Sequence, residues 1–357
     1  MRARVVVVGG GQAGLSAAHH LRRAGLEPGE FVVLDDAPGP GGAWQHRWDS
    51  LTVGQTHSIQ ELPGMGPPPA DPAARASVVM SEYFAEYERA FDLQVYRPVR
   101  VTAIRDAAES GGEPLLRVET DSGEWLAGGV INATGTWRKP FWPVYPGRDT
   151  FAGRQLHTRD FRSARAFFGR RVLVVGGGTS AVQLLMQISQ VARTTWVTRR
   201  PPSFSNAPFD EAARRAAVLR VDARVRAGLP PLSVVSATGL PLIAEYRRGI
   251  ASGVLRALPM FARIVPDGVV WDAADVPPAP EHLRVDAIVW ATGFRADLDH
   301  LAPLHLRSPG GGIVLDGPEV VADPRIQLIG YGPSASIIGA NRAGREAVRN
   351  LRRVLRF

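Results

Sequence analysis

Cysteine is entirely missing from the 357 residues of the sequence. A chain without thiols cannot form disulfide bonds, thiolate metal sites or the CxxC pair that dithiol reductases need. The sequence therefore excludes disulfide and thioredoxin-type reductases. It also lacks a cluster of histidines, so we expect no metal ion.

Long apolar runs are missing too, since the longest are far too short to cross a bilayer. Val5–Val8 runs directly into a glycine cluster instead of a signal-peptide cleavage site. We therefore expect a cytoplasmic protein that does not enter a membrane. Its length predicts two domains, or one domain with a large insertion.

Lysine occurs only as Lys139, so the net charge of +8 rests almost wholly on arginine. The arginines are scattered and form no basic tract or nucleic-acid-binding motif. We therefore expect no nucleic acid partner, although a positive field would attract a polyanionic cofactor.

The first pattern that is present lies at the N-terminus. Arg2–Val8 has the unbroken apolar run of a buried strand, and Gln12–Ala24 has helical spacing with Gly25 as its stop. Phe31–Asp35 follows as a second strand. Together these segments predict a βαβ unit.

A glycine motif joins the first strand of this unit to its helix. In such a motif Gly9 permits the tight turn, Gly11 lets a pyrophosphate approach the backbone, and Gly14 lets helix and strand pack closely. Asp35 follows Gly14 by 21 residues, which suits an acid that binds a ribose hydroxyl, and Asp36 is the less favoured choice. The pattern predicts a dinucleotide site.

A second unit of the same build begins at Arg171. Its glycine turn reads Gly176-x-Gly178-x-x-Ala181, and its second strand is Thr194–Thr198. Two units of this kind predict two dinucleotides.

Arg199 and Arg200 end the second unit, where the first unit has its acid. Arginine binds a ribose 2′-phosphate that an acid would repel. The second site is therefore predicted to prefer NADPH, with NADH as the alternative.

These patterns predict an α/β fold with two Rossmann-like dinucleotide-binding domains, the NADP domain inserted in the FAD domain. We expect residues 1–148 and 288–357 to bind FAD and residues 149–287 to bind NAD(P), with helices and a loop inserted at about 201–265. Further predicted elements are a helix over 82–91 capped by Ser81, a hairpin of 115–120 and 125–134, strands at 285–292 and 326–330, and a helix from about 341 to the end.

Two strand ends share Ala-Thr-Gly, in VINATGTW (130–137) and AIVWATGF (287–294), and GGAW (41–44) follows the acid. With both glycine turns, in this order and spacing, the chain resembles the flavin-containing monooxygenases of the small bacterial single-chain branch. The resemblance implies that NADPH reduces FAD and that O2 forms a C4a-(hydro)peroxyflavin shielded by NADP+. Thioethers or amines, and in some members ketones, then take the oxygen; a homodimer is left open.

The resemblance also implies roles for individual residues. Trp44 would lie near the isoalloxazine, and the backbone of Val101 would face the adenine. The cofactor-binding set is then Gly9, Gly11, Gln12, Gly14, Asp35, Gly42, Trp44, Val101, Thr134, Gly135, Gly176, Gly178, Thr179, Ser180, Arg199, Arg200, Thr292 and Gly293.

The stretch FAGRQLHTRDFR (151–162) indicates which subclass of the family the chain resembles. Phe151, Gly153 and His157 fit the motif FxGxxxH, and Phe161-Arg162 resembles the ending found in amine- and sulfide-oxygenating members, against a Baeyer–Villiger enzyme. We expect His157 to order the connection between domains and not to transfer protons.

The sequence departs from the family where larger members place an asparagine over the flavin, because residues 47–64 contain none. Gln55 and His57 are the candidates for a polar group that stabilises the oxygen adduct. If neither acts so, the protein is an NADPH oxidase or quinone-type reductase; a redox-sensing flavoprotein is a further alternative. Trp44, Trp48, His57 and the 201–265 insertion are candidates for the substrate site.

Overall fold

The computed structural model describes residues 1–56, 61–107, 115–205, 211–231, 239–275, 278–335 and 337–357. The chain divides into two compact units. The first unit comprises residues 1–137, 218–232 and 296–357, and the second comprises 138–217 and 233–295.

The first unit opens with the predicted βαβ motif. Strand β1 is Arg2–Val8, helix α1 is Gln12–Arg23, and strand β2 is Phe31–Leu34, parallel to β1. Four consecutive valines from Val5 are buried because both faces of a parallel sheet are covered. The prediction of this unit from its apolar runs is confirmed to within one residue at each boundary.

The following segment of the first unit adds one helix and four strands. The added elements are α2 (Ala76–Ala90), β3 (Val95–Tyr96), β4 (Val101–Asp106), β5 (Leu116–Thr120) and β6 (Gly123–Asn132). Strand β6 lies parallel to β1 and antiparallel to β5, which confirms the predicted hairpin. Apolar clusters cover both faces of the sheet.

The predicted start of α2 was wrong. The helix begins at Ala76, and Ser81 lies inside it instead of capping it. Ser81 has a packing role, because a Cβ on Gly41 would overlap its hydroxyl. Ala76 and Met80 are buried on the same helix face as Tyr83, so the apolar stripe starts earlier than the serine suggested.

The second unit has its own parallel sheet. Four of its strands are β7 (Arg154–His157), β8 (Arg171–Val175), β9 (Arg193–Val197) and, further along the chain, Ala287–Trp290. Helix α3 (Thr179–Ile188) joins β8 to β9. This βαβ unit is confirmed. An aromatic and aliphatic cluster around Trp290 packs on the sheet.

The predicted insertion contains short strands as well as helices. Its elements and those that follow are β10 (Phe204–Ser205), α4 (Glu211–Arg226), β11 (Leu240–Pro241), α5 (Ala244–Ala251), β12 (Ala257–Leu258), β13 (Arg263–Val265), β14 (Gly268–Val270), β15 (His282–Arg284) and β16 (Ala287–Trp290). The sheet order is β12-β9-β8-β16-β7. Residues 206–210 and 232–238 of the insertion lie outside the described residues.

The chain ends in the first unit. Strands β17 (Leu315–Asp316), β18 (Glu319–Val320) and β19 (Asp323–Leu328) precede helix α6 (Ile337–Leu355). Strand β19 lies parallel to β6, and α6 begins four residues before the predicted start. In the described parts of the chain, no helix is both long and apolar enough to span a membrane.

Candidate functional site

The first glycine turn has the geometry that its motif predicts. Gly9 has φ +104°, and a Cβ there would lie 2.6 Å from the carbonyl oxygen of Ala133. A Cβ on Gly14 would overlap the carbonyl of Gly9, so only glycine lets α1 approach β1 this closely. A Cβ on Gly11 would meet nothing nearer than Gly42, at 3.9 Å, which leaves its backbone open to a ligand.

Asp35 lies directly after β2 and is held by an arginine that the sequence did not single out. Its Oδ2 accepts a 2.6 Å hydrogen bond from Nε of Arg97, and both side chains are at most 10% exposed. The two Nη groups of Arg97 donate to Glu88 of α2 at 2.7 Å each. These carboxylates outweigh the effect of burial and raise the pKa of Arg97.

The same ion pair explains the glycine between Gly9 and Gly11. A Cβ on Gly10 would lie 2.5 Å from Nη2 of Arg97 and 2.9 Å from Oδ2 of Asp35. The sequence feature that could have identified Arg97 is its position one residue beyond β3, which pairs in parallel with β2. The carboxyl ends of parallel strands share an edge of the sheet, so Arg97 lies beside the acid.

The GGAW loop packs on this turn. A 3₁₀ helix spans Gly42–His46, and a Cβ on Gly42 would lie 2.9 Å from Cα of Gly11. Trp44 is half-buried against the apolar core of the unit. His46, the last residue of this helix, stacks on Trp137. The guanidinium of Arg47, the next residue, lies over the rings of Trp44 and Trp137.

The second glycine turn repeats the geometry of the first. Gly176 has φ +137°, and a Cβ there would overlap the carbonyl of Ala291. Nε1 of buried Trp196 donates to the carbonyl of Gly176 at 2.6 Å. A Cβ on Gly178 would meet no atom of the described residues within 4 Å, and Ala181 packs in the core as the third residue of the motif.

Four of the predicted cofactor-binding residues lie near the second turn. Thr179 and Ser180 form the first turn of α3, and Arg199 and Arg200 are exposed beyond the end of β9. Within the described ranges, neither arginine has an ion-pair partner. The open backbone at Gly11 and Gly178 leaves room for phosphates at the starts of α1 and α3, where helix N–H groups bind anions. Both turns therefore fit a dinucleotide.

The two Ala-Thr-Gly segments form matching backbone clamps. Thr134 donates from its hydroxyl to the carbonyl of Asp297 at 2.6 Å, and the N–H of Asp297 donates to the carbonyl of Gly135 at 3.0 Å. In the second unit, Thr292 and Gly293 make the same two bonds with Phe141. The threonine hydroxyl and the glycine carbonyl thus hold the neighbouring chain where each sheet ends.

His157 is fully buried and bonded at both ring nitrogens. Nε2 donates to the carbonyl of Gly293 at 3.0 Å, and Nδ1 accepts from the N–H of Arg159 at 3.1 Å. A carbonyl can only accept, so Nε2 carries the proton. Burial lowers the pKa of His157 and keeps it neutral. This supports the structural role expected of it.

Two further cofactor candidates have structural contacts. Nε2 of Gln12, the first residue of α1, donates to Oδ1 of Asn341 at 3.2 Å. Val101 begins β4 and is half-buried. Both lie in the first unit, as expected for residues of the FAD site.

Of the two catalytic candidates, only Gln55 lies among the residues that the structure describes. Gln55 is exposed on a short 3₁₀ helix, where its Oε1 accepts from the N–H of Thr52 at 3.3 Å. Only its NH2 group is left to donate to a ligand. His57 lies outside the described residues. Trp48, a candidate for the substrate site, is buried.

Comparison with known proteins agrees with this architecture. Residues 6–212 match the family model described as pyridine nucleotide-disulphide oxidoreductase. The solved structure of a flavin-containing monooxygenase from Stenotrophomonas maltophilia is 37% identical and has a TM-score of 0.78, with 98% of each chain covered. An oxidoreductase named CzcO-like from Geobacillus kaustophilus is 24% identical over 85% of this chain and 86% of its own length.

Human flavin-containing monooxygenase 5 is 28% identical over 55% of this chain, and the match spans 40% of that protein. The chain belongs to the pyridine nucleotide-disulphide oxidoreductase family and, within it, to the flavin-containing monooxygenases. It is accordingly an oxidoreductase that uses FAD and NADP(H). The fold class and the family resemblance predicted from the sequence are confirmed.

Proposed function

We propose that the protein is an FAD- and NADPH-dependent monooxygenase that transfers one oxygen atom from O2 to soft nucleophiles. Thioethers and amines are the preferred substrates, and ketones are a secondary class. The observation that carries the proposal is the contrast between the two dinucleotide turns. In the first βαβ unit the second strand is followed by a carboxylate, Asp35, and in the second βαβ unit it is followed by two exposed arginines, Arg199 and Arg200.

The first unit would hold FAD and the second NADPH. Bound flavin supplies oxygen activation and the nicotinamide supplies the hydride. The protein's residues bind and orient these groups. The α1 terminus and Gly11 would contact the FAD pyrophosphate, Asp35 its ribose, and Trp44 would exclude water beside the ring. The arginines beyond β9 would bind the 2′-phosphate of NADPH.

The state of Gln55 favours a second candidate function, an NADPH oxidase or quinone-type reductase. Its amide oxygen caps a helix and its side chain is exposed. Residues 47–64 contain no asparagine that could supply this polar group in place of Gln55. Without a polar side chain at this position, the protein would offer no hydrogen bond to stabilise an oxygen adduct, which favours peroxide over an oxygenated product.

One stopped-flow experiment separates the two functions. The holoenzyme is reduced with NADPH without oxygen and then mixed with oxygenated buffer while the flavin spectrum is recorded. A monooxygenase should show a long-lived absorption, distinct from reduced and oxidised flavin, that collapses when thioanisole is added, with sulfoxide as product. Direct return to oxidised flavin with stoichiometric peroxide would overturn the monooxygenase proposal.

A further inference from the structure

Arg47 is a half-buried cation that lies beside two aromatic rings. Its Cζ lies 5.8 Å from the ring centroid of Trp44 and 5.3 Å from that of Trp137. The guanidinium makes no hydrogen bond or ion pair with any residue that the structure describes. Burial lowers the pKa of Arg47, and no carboxylate opposes this effect.

Two other partly buried arginines of the first unit are neutralised. Arg97 is paired with Asp35 and Glu88, and Arg325 is paired with Asp323 and Asp106. A cation taken out of water without an anion is unfavourable, and contact with ring faces offsets only part of that cost. Arg47 therefore has the environment of a group whose counter-ion comes with a ligand.

The position of Arg47 limits which anion this is. The 3₁₀ helix Gly42–His46 begins against Gly11, the glycine open to the pyrophosphate, and ends directly before Arg47. At about 2 Å per residue, this helix carries the backbone of Arg47 roughly 10 Å from the phosphate turn. This separation favours an anion other than the cofactor's phosphates.

We propose that Arg47, Trp44 and Trp137 form the recognition site for the carboxylate of an aromatic substrate. A guanidinium binds a carboxylate through two parallel hydrogen bonds. Beside it, the half-buried indole of Trp44 offers an apolar contact to the rest of the ligand, while Trp137, stacked on His46, holds the guanidinium in place. The inference rests on the proposed monooxygenase function and names the substrate class as aromatic acids that carry a thioether or amine.

The test is a binding titration of oxidised holoenzyme without NADPH, followed through the flavin spectrum. The two probes are 4-(methylthio)benzoate and thioanisole, which differ in the carboxylate. The wild type should bind the acid at least ten-fold more tightly than the neutral thioether. Arg47→Gln should lower this ratio at least ten-fold, and Arg47→Lys, which keeps the charge without the planar fork, should lower it partly. Arg2→Gln, which removes an exposed arginine of β1, should preserve it.

Three outcomes would overturn the inference. The acid and the neutral thioether could bind equally to the wild type, or Arg47→Gln could leave their ratio unchanged. Arg47→Gln could also weaken FAD binding with the ratio intact, which would assign the anion to the cofactor. If Arg47→Gln fails to fold, the Arg47→Lys ratio decides.

Turnover separates this inference from the function on which it rests. With NADPH and O2, failure of the wild type to oxidise either thioether would contradict the monooxygenase proposal while the binding ratio still reports on Arg47. Equal turnover of acid and neutral thioether, combined with equal binding, would contradict only the role of Arg47.

Discussion

At the scale of single residues, two neighbouring glycines serve different purposes. A side chain on Gly10 would collide with the Arg97–Asp35 pair, whereas one on Gly11 would occupy open space. Gly11 has φ −86°, a backbone conformation that alanine adopts freely. We therefore infer that the fold requires Gly10 and propose that the ligand requires Gly11.

This difference predicts opposite effects of two matched substitutions. Gly10→Ala should lower the free energy of unfolding without FAD by about 1 to 3 kcal/mol, because the new Cβ displaces a buried ion pair. Gly11→Ala should leave that stability within about 0.5 kcal/mol and weaken FAD binding ten-fold or more. Denaturant unfolding and FAD titration measure the two effects. Equal loss of stability in both variants would contradict the assignment of Gly11.

Arg199 and Arg200 yield a prediction about cofactor choice. Replacing both by alanine should raise the KM for NADPH far more than the KM for NADH, because only NADPH carries the 2′-phosphate. Steady-state kinetics with each cofactor measure the shift. The matched control is Arg193→Ala, an exposed arginine at the start of β9. A similar rise for both cofactors would show that these arginines do not bind the phosphate.

At the scale of elements, the two ion pairs of Arg97 connect the ends of β2 and β3 to helix α2. Asp35 and Glu88 are almost fully enclosed and share this one guanidinium. Removing the cation would leave two buried carboxylates facing each other. Breaking a buried ion pair in this way costs about 3 to 5 kcal/mol.

Arg97→Met should therefore lower the free energy of unfolding by about that amount and also weaken FAD binding, since Asp35 would lose its orientation. Arg105→Met is the matched control, because its pair with Glu119 is exposed and contributes at most about 1 kcal/mol. Denaturant unfolding and FAD titration provide the readouts. Similar losses in the two variants would rule out a special role for the buried cation.

The elements differ in how far the sequence could predict them. Strand β1 and helix α1 were predictable because a strand buried on both faces leaves a continuous apolar run beside a glycine turn. The helix start predicted from Ser81 was wrong because a serine before a helical pattern can also lie inside the helix. The Arg97–Asp35 pair could not be predicted locally, because 62 residues separate its partners and only strand pairing joins them.

At the scale of the whole molecule, the protein uses one device twice. Each unit has a glycine turn open to a dinucleotide and a Thr-Gly clamp that holds the departing chain. The copies differ in the charge at the end of the second strand, acidic in the first unit and basic in the second. In the proposed function, the shared geometry would bind dinucleotides in general, and the charge difference would distinguish one from the other.

Histidines link the stability of the whole molecule to pH. Burial, with nearby His19, Arg345 and Arg23, lowers the pKa of His20 from 6.5 to about 4, and burial together with Arg23 also lowers that of His19. Between about pH 4 and 6.5 the unfolded chain binds more protons than the folded one. Stability is therefore fully present above pH 6.5 and is lost as the pH falls toward 4.

His20 alone should account for a loss of at most about 3.5 kcal/mol over that interval, from about 1.4 kcal/mol for each unit of pKa. His20→Gln removes the titrating group, so its unfolding free energy should fall less between pH 7.5 and 4.5 than that of the wild type. Denaturant unfolding at several pH values measures both slopes. Parallel slopes would mean that the acid sensitivity arises elsewhere, with the buried His19 as the next group to replace, since neither of its ring nitrogens has a hydrogen-bond partner in the described structure.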